Sequence, residues 1–311
     1  MVYHLIDPAK TAVSTPRILL VPYDAHHVER YHEWMQDEAL REATASDLLT
    51  LDEEYENQQS WRTAHDKLTF IVCRAVVDDA GASADPETDP GPVYAGQDDA
   101  STRMVGDVNL FLTPCDDGED DEDEDEETDA DGAAGESGPC DLQGEIDIMI
   151  AARENRHKGL GEAAVRAFLR YLSRNHEAIV REYVRGGASP AVGDAFGVTN
   201  TETTAAAATA TTTTKEKQKN SARLKRLVAK INADNAGSIR LFGNLGFRQR
   251  GGPNYFNEIS MVLLDFPSTS SSYATTTVPG TEPGIESGAT DSGVDELGYR
   301  ERFFDRSRLE R

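Results

Sequence analysis

Glu145-Ile-Asp-Ile-Met-Ile150-Ala-Ala-Arg-Glu-Asn-Arg156-His-Lys-Gly159-Leu-Gly161-Glu-Ala-Ala decides the reading of this chain. Its first six residues alternate, with Glu145, Asp147 and Met149 on one face of a strand and Ile146, Ile148 and Ile150 on the other. A polar turn with two glycines follows. Beyond it, Val165, Phe168, Leu169 and Leu172 fall at i, i+3, i+4 and i+7, the pattern of a helix with one apolar stripe. A strand that runs through a glycine turn into a helix leaves backbone N–H groups unpaired at the helix start, where the dipole favours an anion. Arg156 and Lys158 add positive charge beside those donors. The spacing differs from the dinucleotide fingerprint Gly-x-Gly-x-x-Gly, and no Gly-Lys-Ser/Thr follows as in a P-loop. The turn reads as a diphosphate site of another kind.

Working outward, Arg17-Ile-Leu-Leu-Val-Pro22 reads as a strand closed by proline. Asp24 can cap a helix carrying Val28, Tyr31, Trp34 and Met35 on one face, and Thr50 or Asp52 opens a second helix that reaches Trp61. Leu68–Cys73, Met104–Leu112, Leu227–Ile231 and Phe256–Leu264 read as strands, and Ser238–Leu245 as a short helix stopped by Gly246. The order β-α-α-β-β-β-α-β-α-β describes one α/β domain over residues 17–266 with a mixed central sheet. Three stretches between these elements, about 78–102, 114–141 and 186–221, and a tail over 267–311, lack the apolar residues to offset the entropy of ordering, and are expected to be disordered. Within the tail, Tyr299–Leu309 carries Phe303 and Phe304 and reads as a solvated segment, with a short helix or a partner motif as alternatives.

The formal net charge is −25, and thirteen acids between Asp116 and Asp131, with no Lys or Arg among them, supply about half of it. Such a balance argues against nucleic-acid binding, which needs clustered basic residues. Three cysteines, Cys73, Cys115 and Cys140, point to a reducing compartment, although a Cys115–Cys140 bridge would close the acidic loop. The amino-terminal residues lack a basic-then-apolar leader, and no run approaches a membrane span. The expectation is a monomeric protein, cytoplasmic with nuclear access, that binds neither nucleic acid nor membrane. His26, His27 and His32 lack the spacing of a metal set, and the acidic block lacks the spacing of a calcium loop, so no metal is expected.

Arg156-x-x-Gly159-x-Gly161 resembles the cofactor loop of the GNAT superfamily of N-acetyltransferases, and Asn235-Ala-Gly-Ser238-Ile-Arg-Leu-Phe242-Gly-Asn-Leu-Gly246-Phe247 resembles its second motif. Within it the chain is similar to the N-acetyltransferase 9-like group, through Leu20–Asp24, Arg30–Met35, Thr69–Val72, Met104–Leu112 and Gly144–Ala151. The resemblance implies acetyl-CoA as cosubstrate, bound where two neighbouring strands splay apart. It implies that backbone groups of Met149, Ile150 and Ala151 pair with the pantetheine arm. N–H groups of His157, Lys158, Gly159, Leu160, Gly161 and Glu162 would hold the diphosphate. Asn235, Ser238 and Phe242 would line the cofactor, with Asn235 also a helix cap.

Transfer to an amine needs a base, and Glu145 is the first candidate, eleven residues before Arg156 as in histone acetyltransferases of this fold. Asp147 is the second. Many relatives carry Tyr where Phe242 stands, and its hydroxyl protonates the leaving thiolate. Here Tyr255 or water would supply that proton. The resemblance points to a protein amino terminus, tubulin's among them, as acceptor. A small amine is the second reading, and a weakly catalytic coenzyme A-binding scaffold the third.

Overall fold

The computed structural model describes residues 10–75, 91–115, 141–186, 222–264, 266 and 298–309. The strands are β1 (Thr11–Ser14), β2 (Ile18–Pro22), β3 (Lys67–Arg74), β4 (Val93–Tyr94), β5 (Met104–Pro114), β6 (Asp141–Ile150), β7 (Arg223–Asn232), β8 (Arg248–Arg250), β9 (Glu258–Leu263) and β10 (Arg300–Asp305). The helices are α1 (Val28–Met35), α2 (Glu38–Thr44), α3 (Leu51–Thr63), α4 (Leu160–Gly186) and α5 (Ala236–Asn244). All ten strands form one sheet in the order β4-β10-β1-β2-β3-β5-β6-β7-β9-β8. It is antiparallel except for β10 with β4 and β6 with β7.

Alternation on the inner strands sorts two cores. Ile18 and Leu20 of β2 and Phe70 and Val72 of β3 face α4, where Val165, Phe168, Leu169 and Leu172 are fully buried as their spacing requires. Leu19, Val21, Ile71 and Cys73 turn to the opposite face, under Val28, Trp34 and Met35 of α1. α3 begins with a capping box. The Thr50 side chain accepts from the Glu53 amide, while Glu53 Oε2 accepts from the Thr50 amide at 2.8 Å.

Several expectations need correction. Five elements were not read from the sequence: β1, α2, β4, β8 and β10. Residues 91–102, expected to be disordered, hold β4 and a turn in which Asp99 is fully buried. The expected tail is not wholly solvated or helical, because β10 pairs along β1 from Thr11↔Phe303 to Ser14↔Arg300. Phe304 is buried against the α1 face, and Arg306 Nε reaches Asp24 Oδ2 at 2.5 Å. Composition hides this strand because Phe304 is its one buried residue, while Arg300, Glu301, Arg302 and Asp305 are charged and Phe303 is exposed. Asp24 precedes a 3-10 turn over Ala25–His27 that leads into α1, and its carboxylate takes Arg62 and Arg306. The last strand of the reading begins at Glu258, leaving Phe256 exposed on the turn before it. The acidic block, the Thr/Ala run and Cys140 lie outside the described residues.

Because Phe304 anchors β10, Phe304→Ala is expected to lower the unfolding free energy by about 3 kcal/mol. Urea unfolding of the full chain checks this, and an unchanged midpoint would contradict the anchoring role.

Candidate functional site

β6 and β7 pair in parallel from Asp141↔Arg223 to Glu145↔Val228, and then part. β6 continues to Ile150 bonded only to β5, while β7 continues to Asn232 bonded only to β9. The result is a wedge with a free backbone edge on β6. Ala151 N–H donates to Val105 C=O at 2.9 Å, which fixes which residues point toward β5. By strand alternation the N–H groups of Ile148 and Ile150 turn toward the wedge. This corrects the expected pantetheine edge of Met149–Ala151, since Met149 and Ala151 address β5. β5 can approach so closely only because residue 106 is glycine. A Cβ there would stand 1.8 Å from the Met149 carbonyl oxygen.

At the mouth of the wedge, His157 and Gly159 both adopt positive φ, 57° and 72°, and with Lys158 they are exposed. The turn thereby aims its amides outward ahead of α4. The amide of Ala163 bonds to Gly159 C=O, so those of Leu160, Gly161 and Glu162 precede the helical ladder. Arg156 does something other than expected. Its Nε donates to Ile150 C=O and its Nη2 to Ala151 C=O, both at 2.9 Å, so it straps the turn to the end of β6. Arg17 Nη2 donates to Lys158 C=O, and a Cβ at Gly159 would meet that guanidinium at 3.1 Å. A Cβ at Gly161 would point inward, toward Leu241, Ile150 and Ile148 at ordinary contact distances. Gly159, not Gly161, is therefore the position that backbone strain reserves for glycine. The Glu162 carboxylate pairs with Arg166 at 3.0 Å.

Across the wedge, Asn235 Oδ1 accepts from the Ser238 amide at 3.1 Å and caps α5. Phe242 is buried edge-on against Phe247, with ring centroids 5.0 Å apart, so it packs in the core instead of standing open. Tyr255 is 95% exposed on the turn between β8 and β9, with its ring against Phe256.

Four carboxyls gather on the α1–α3 face of the wedge. Glu145 is ion-paired to Lys230 Nζ at 2.9 Å. Burial opposes the charge on Lys230, but the Glu145 carboxylate outweighs it and holds the ammonium's pKa above its usual value. Asp147, just past the last β6–β7 pair, keeps one side in solvent. Protein packed around its carboxyl, with Glu145 and Asp107 nearby, raises its pKa to about 7. Asp107 is fully enclosed, and burial pushes it up to about 6 against hydrogen bonds from Asn109 and Tyr31. Glu54 of α3 is raised by burial to about 7. Asp107, Asn109 and Lys230 escaped the sequence reading. The legible signal of the first two was Gly106-Asp-Val-Asn109, a polar break inside an apolar central strand.

His26, His27 and Asp99 meet within ligand distance, each imidazole Nε2 lying 2.9 Å from Asp99 Oδ2. His27 Nδ1 accepts from the Asp24 amide, so its Nε2 carries the proton and donates it to Asp99. This network ties the β4 turn to α1. A cavity of about 440 Å³ lies at the Lys67 end of β3, between the ends of α3 and α4, lined by Trp61, Arg62, Lys67, Ile179 and Arg185 among others and by none of the expected site residues.

Arg156→Ala removes two charge-assisted bonds from the strap. Protection of the first hydrogen-bonded amide of α4, Ala163 N–H to Gly159 C=O, is expected to fall about 30-fold, equivalent to about 2 kcal/mol of local stability. Hydrogen-exchange mass spectrometry checks this, and unchanged exchange would refute the strap.

A family model described as an acetyltransferase (GNAT) domain matches residues 17–248. An N-acetyltransferase 9-like protein of Schizosaccharomyces pombe is 35% identical over 255 residues, 82% of this chain and 96% of that protein. The human alpha/beta-tubulin-N-acetyltransferase 9 is 32% identical over 254 residues, covering 81% and 83% of the two chains. Its Drosophila melanogaster namesake is 40% identical over 161 residues, covering 52% and 62%. The wedge, the strapped turn and this shared sequence agree, and the chain belongs to the GNAT acetyltransferases, in their N-acetyltransferase 9-like group.

Proposed function

We propose that this acetyltransferase moves the acetyl group of acetyl-CoA onto a primary amine, the amino terminus of a protein, by direct attack on the thioester. The observation that carries this reading is the parting of β6 from β7 directly beside an exposed, positive-φ turn at the start of α4. An extended pantetheine arm would complete the free β6 edge at Ile148 and Ile150, and the amides of 157–162 would receive the diphosphate. Lys158 and Arg153 supply the local positive potential that an otherwise acidic protein needs to attract an anion. The names of the human and Drosophila relatives support a protein amino terminus of the tubulin kind as acceptor.

Asp147 is the base in this reading. Glu145 is already committed to Lys230, and accepting a proton there would break that pair. Among the described residues Asp147 has no salt-bridge partner within 4 Å, and it faces the wedge with a pKa of about 7, where it can take a proton from an ammonium and release it again. Phe242 has no proton to give, so the leaving thiolate, whose thiol has a pKa of about 8.5, takes one from the attacking nitrogen or water. Tyr255, exposed on its turn, would stand at the rim, next to the protein that carries the acceptor.

Because Asp147 must be deprotonated to act, kcat/KM is expected to rise as pH passes about 7. Asp147→Asn should flatten the rise and slow transfer at least about 100-fold, while Glu145→Gln should cost less. Radiolabelled acetyl-CoA with peptides bearing free amino termini measures both. If Asp147→Asn keeps full activity at every pH, the base assignment falls. If the wild-type protein fails to bind coenzyme A in a calorimetric titration, the transferase reading of the wedge falls with it.

A further inference from the structure

On the α1–α3 face behind β6, polar groups are packed together with more acceptors than donors. The register places Thr69, Asn109 and Asp147 in one cross-strand row, and Ile71, Asp107 and Met149 in the next. All six side chains leave the sheet on the same face. Asp107 is 2% exposed. Its Oδ2 accepts from the Tyr31 hydroxyl at 3.2 Å and from Asn109 Nδ2 at 3.0 Å, but among the described residues its Oδ1 has no partner. Neither has Asn109 Oδ1, Thr69 Oγ1 or the hydroxyl of Tyr23, a residue only 6% exposed. Tyr23 and Tyr31 lie 5.3 Å apart, and both feel the charges of Glu54 and Asp107. Glu54 is itself 2% exposed. Among the described residues no cationic side chain offsets the burial of Glu54 or Asp107.

Burying a carboxyl without a cation is costly, and a stability-driven core would replace it with an apolar residue. Two such acids, facing unpaired oxygens, flank the strand where the acetyl group is to be delivered. We propose that Asp107, with Tyr23, Glu54 and Asn109, is the seat for the acceptor's ammonium head, selecting a primary amine in its cationic form. The proposal rests on the transferase reading above for what then happens to that amine. A primary ammonium has three N–H donors, one for Asp107 Oδ1, one for Asn109 Oδ1 or a tyrosine hydroxyl oxygen, and one left to face Asp147. Asp147, in the adjoining row, takes one proton, and the freed lone pair forms the C–N bond. The C–S bond breaks, the nitrogen gives its second proton to the departing sulfur, and Asp147 returns its proton to water. A tertiary amine offers a single donor and would leave two of these oxygens unmet.

The test uses full-length protein, titrated calorimetrically with n-butylamine and with its neutral counterpart 1-butanol, in the presence and absence of coenzyme A. The wild type is expected to bind butylammonium at least about tenfold more tightly than butanol. Asp107→Asn, which keeps shape and removes charge, and Tyr23→Phe, which removes one hydroxyl, should each weaken butylammonium by up to about tenfold or more. Coenzyme A affinity should hold, and the melting point of Asp107→Asn should stay level or rise, since an uncompensated buried acid is gone. A merely structural role for Asp107 would instead lower the melting point and leave amine binding unchanged. Equal affinity of the wild type for butylammonium and butanol, or wild-type affinity in Asp107→Asn, overturns the proposal. Failure to bind coenzyme A would strike the transferase reading alone, because the titration without coenzyme A still reads the seat.

Discussion

Everything at this site depends on two neighbouring strands ceasing to share hydrogen bonds after Glu145 and Val228. Each strand can afford to part because its other side is fully committed, β6 to β5 and β7 to β9. A free strand edge is an unmet demand for donors and acceptors. Its placement beside the start of a 27-residue helix sets a strand edge next to a run of helix-terminal amides, which in the proposed reading take an extended amide chain and an anion. Side chains play a supporting part. Arg156 ties the turn to carbonyls at the end of β6, and Arg17 holds the Lys158 carbonyl of the turn itself.

The two faces of β6 divide the labour. Its apolar residues, Ile146 and Ile148, meet the α4 core, while Glu145, Asp147 and Met149 look toward α1 and α3. Charge on that second face is graded by environment. Glu145 is neutralised by Lys230, Asp147 is poised near neutrality at the edge of the wedge, and Asp107 and Glu54 lie deeper with no cation of their own. Carboxyls in one small region thus acquire different duties through burial and partners alone, as environments that push pKa values apart generally allow.

The sequence reading reached the centre of this arrangement because period and glycine placement are local signals. The alternation of Glu145–Ile150, the stripe on α4 and the Arg-x-x-Gly-x-Gly turn each follow from a few consecutive residues. What it missed is non-local. That Arg156 folds back on Ile150 and Ala151 depends on the positive φ of the residues after it, which no spacing reveals. Phe242 read as a cofactor contact because its motif suggested it, yet packing against Phe247 turns it into the core. β10 and β4 were invisible because one has a single buried residue among four charged ones and the other is two residues long, so each looks like solvated chain until its partners are known. Asp107 and Asn109 were legible as an interruption, but only the cross-strand register shows what they face.

The late position of β10 has a consequence for biogenesis. It lies far along the polypeptide from the β1 edge it covers, and it also carries the parallel contact to β4. While the ribosome is still translating the stretch after β9, β1 presents a bare edge flanked by apolar side chains. At about 5–20 residues per second that interval lasts seconds. An exposed edge of this kind invites pairing with another nascent chain, so chaperone dependence and yield should be governed by the closing of this one seam more than by the assembly of the catalytic wedge.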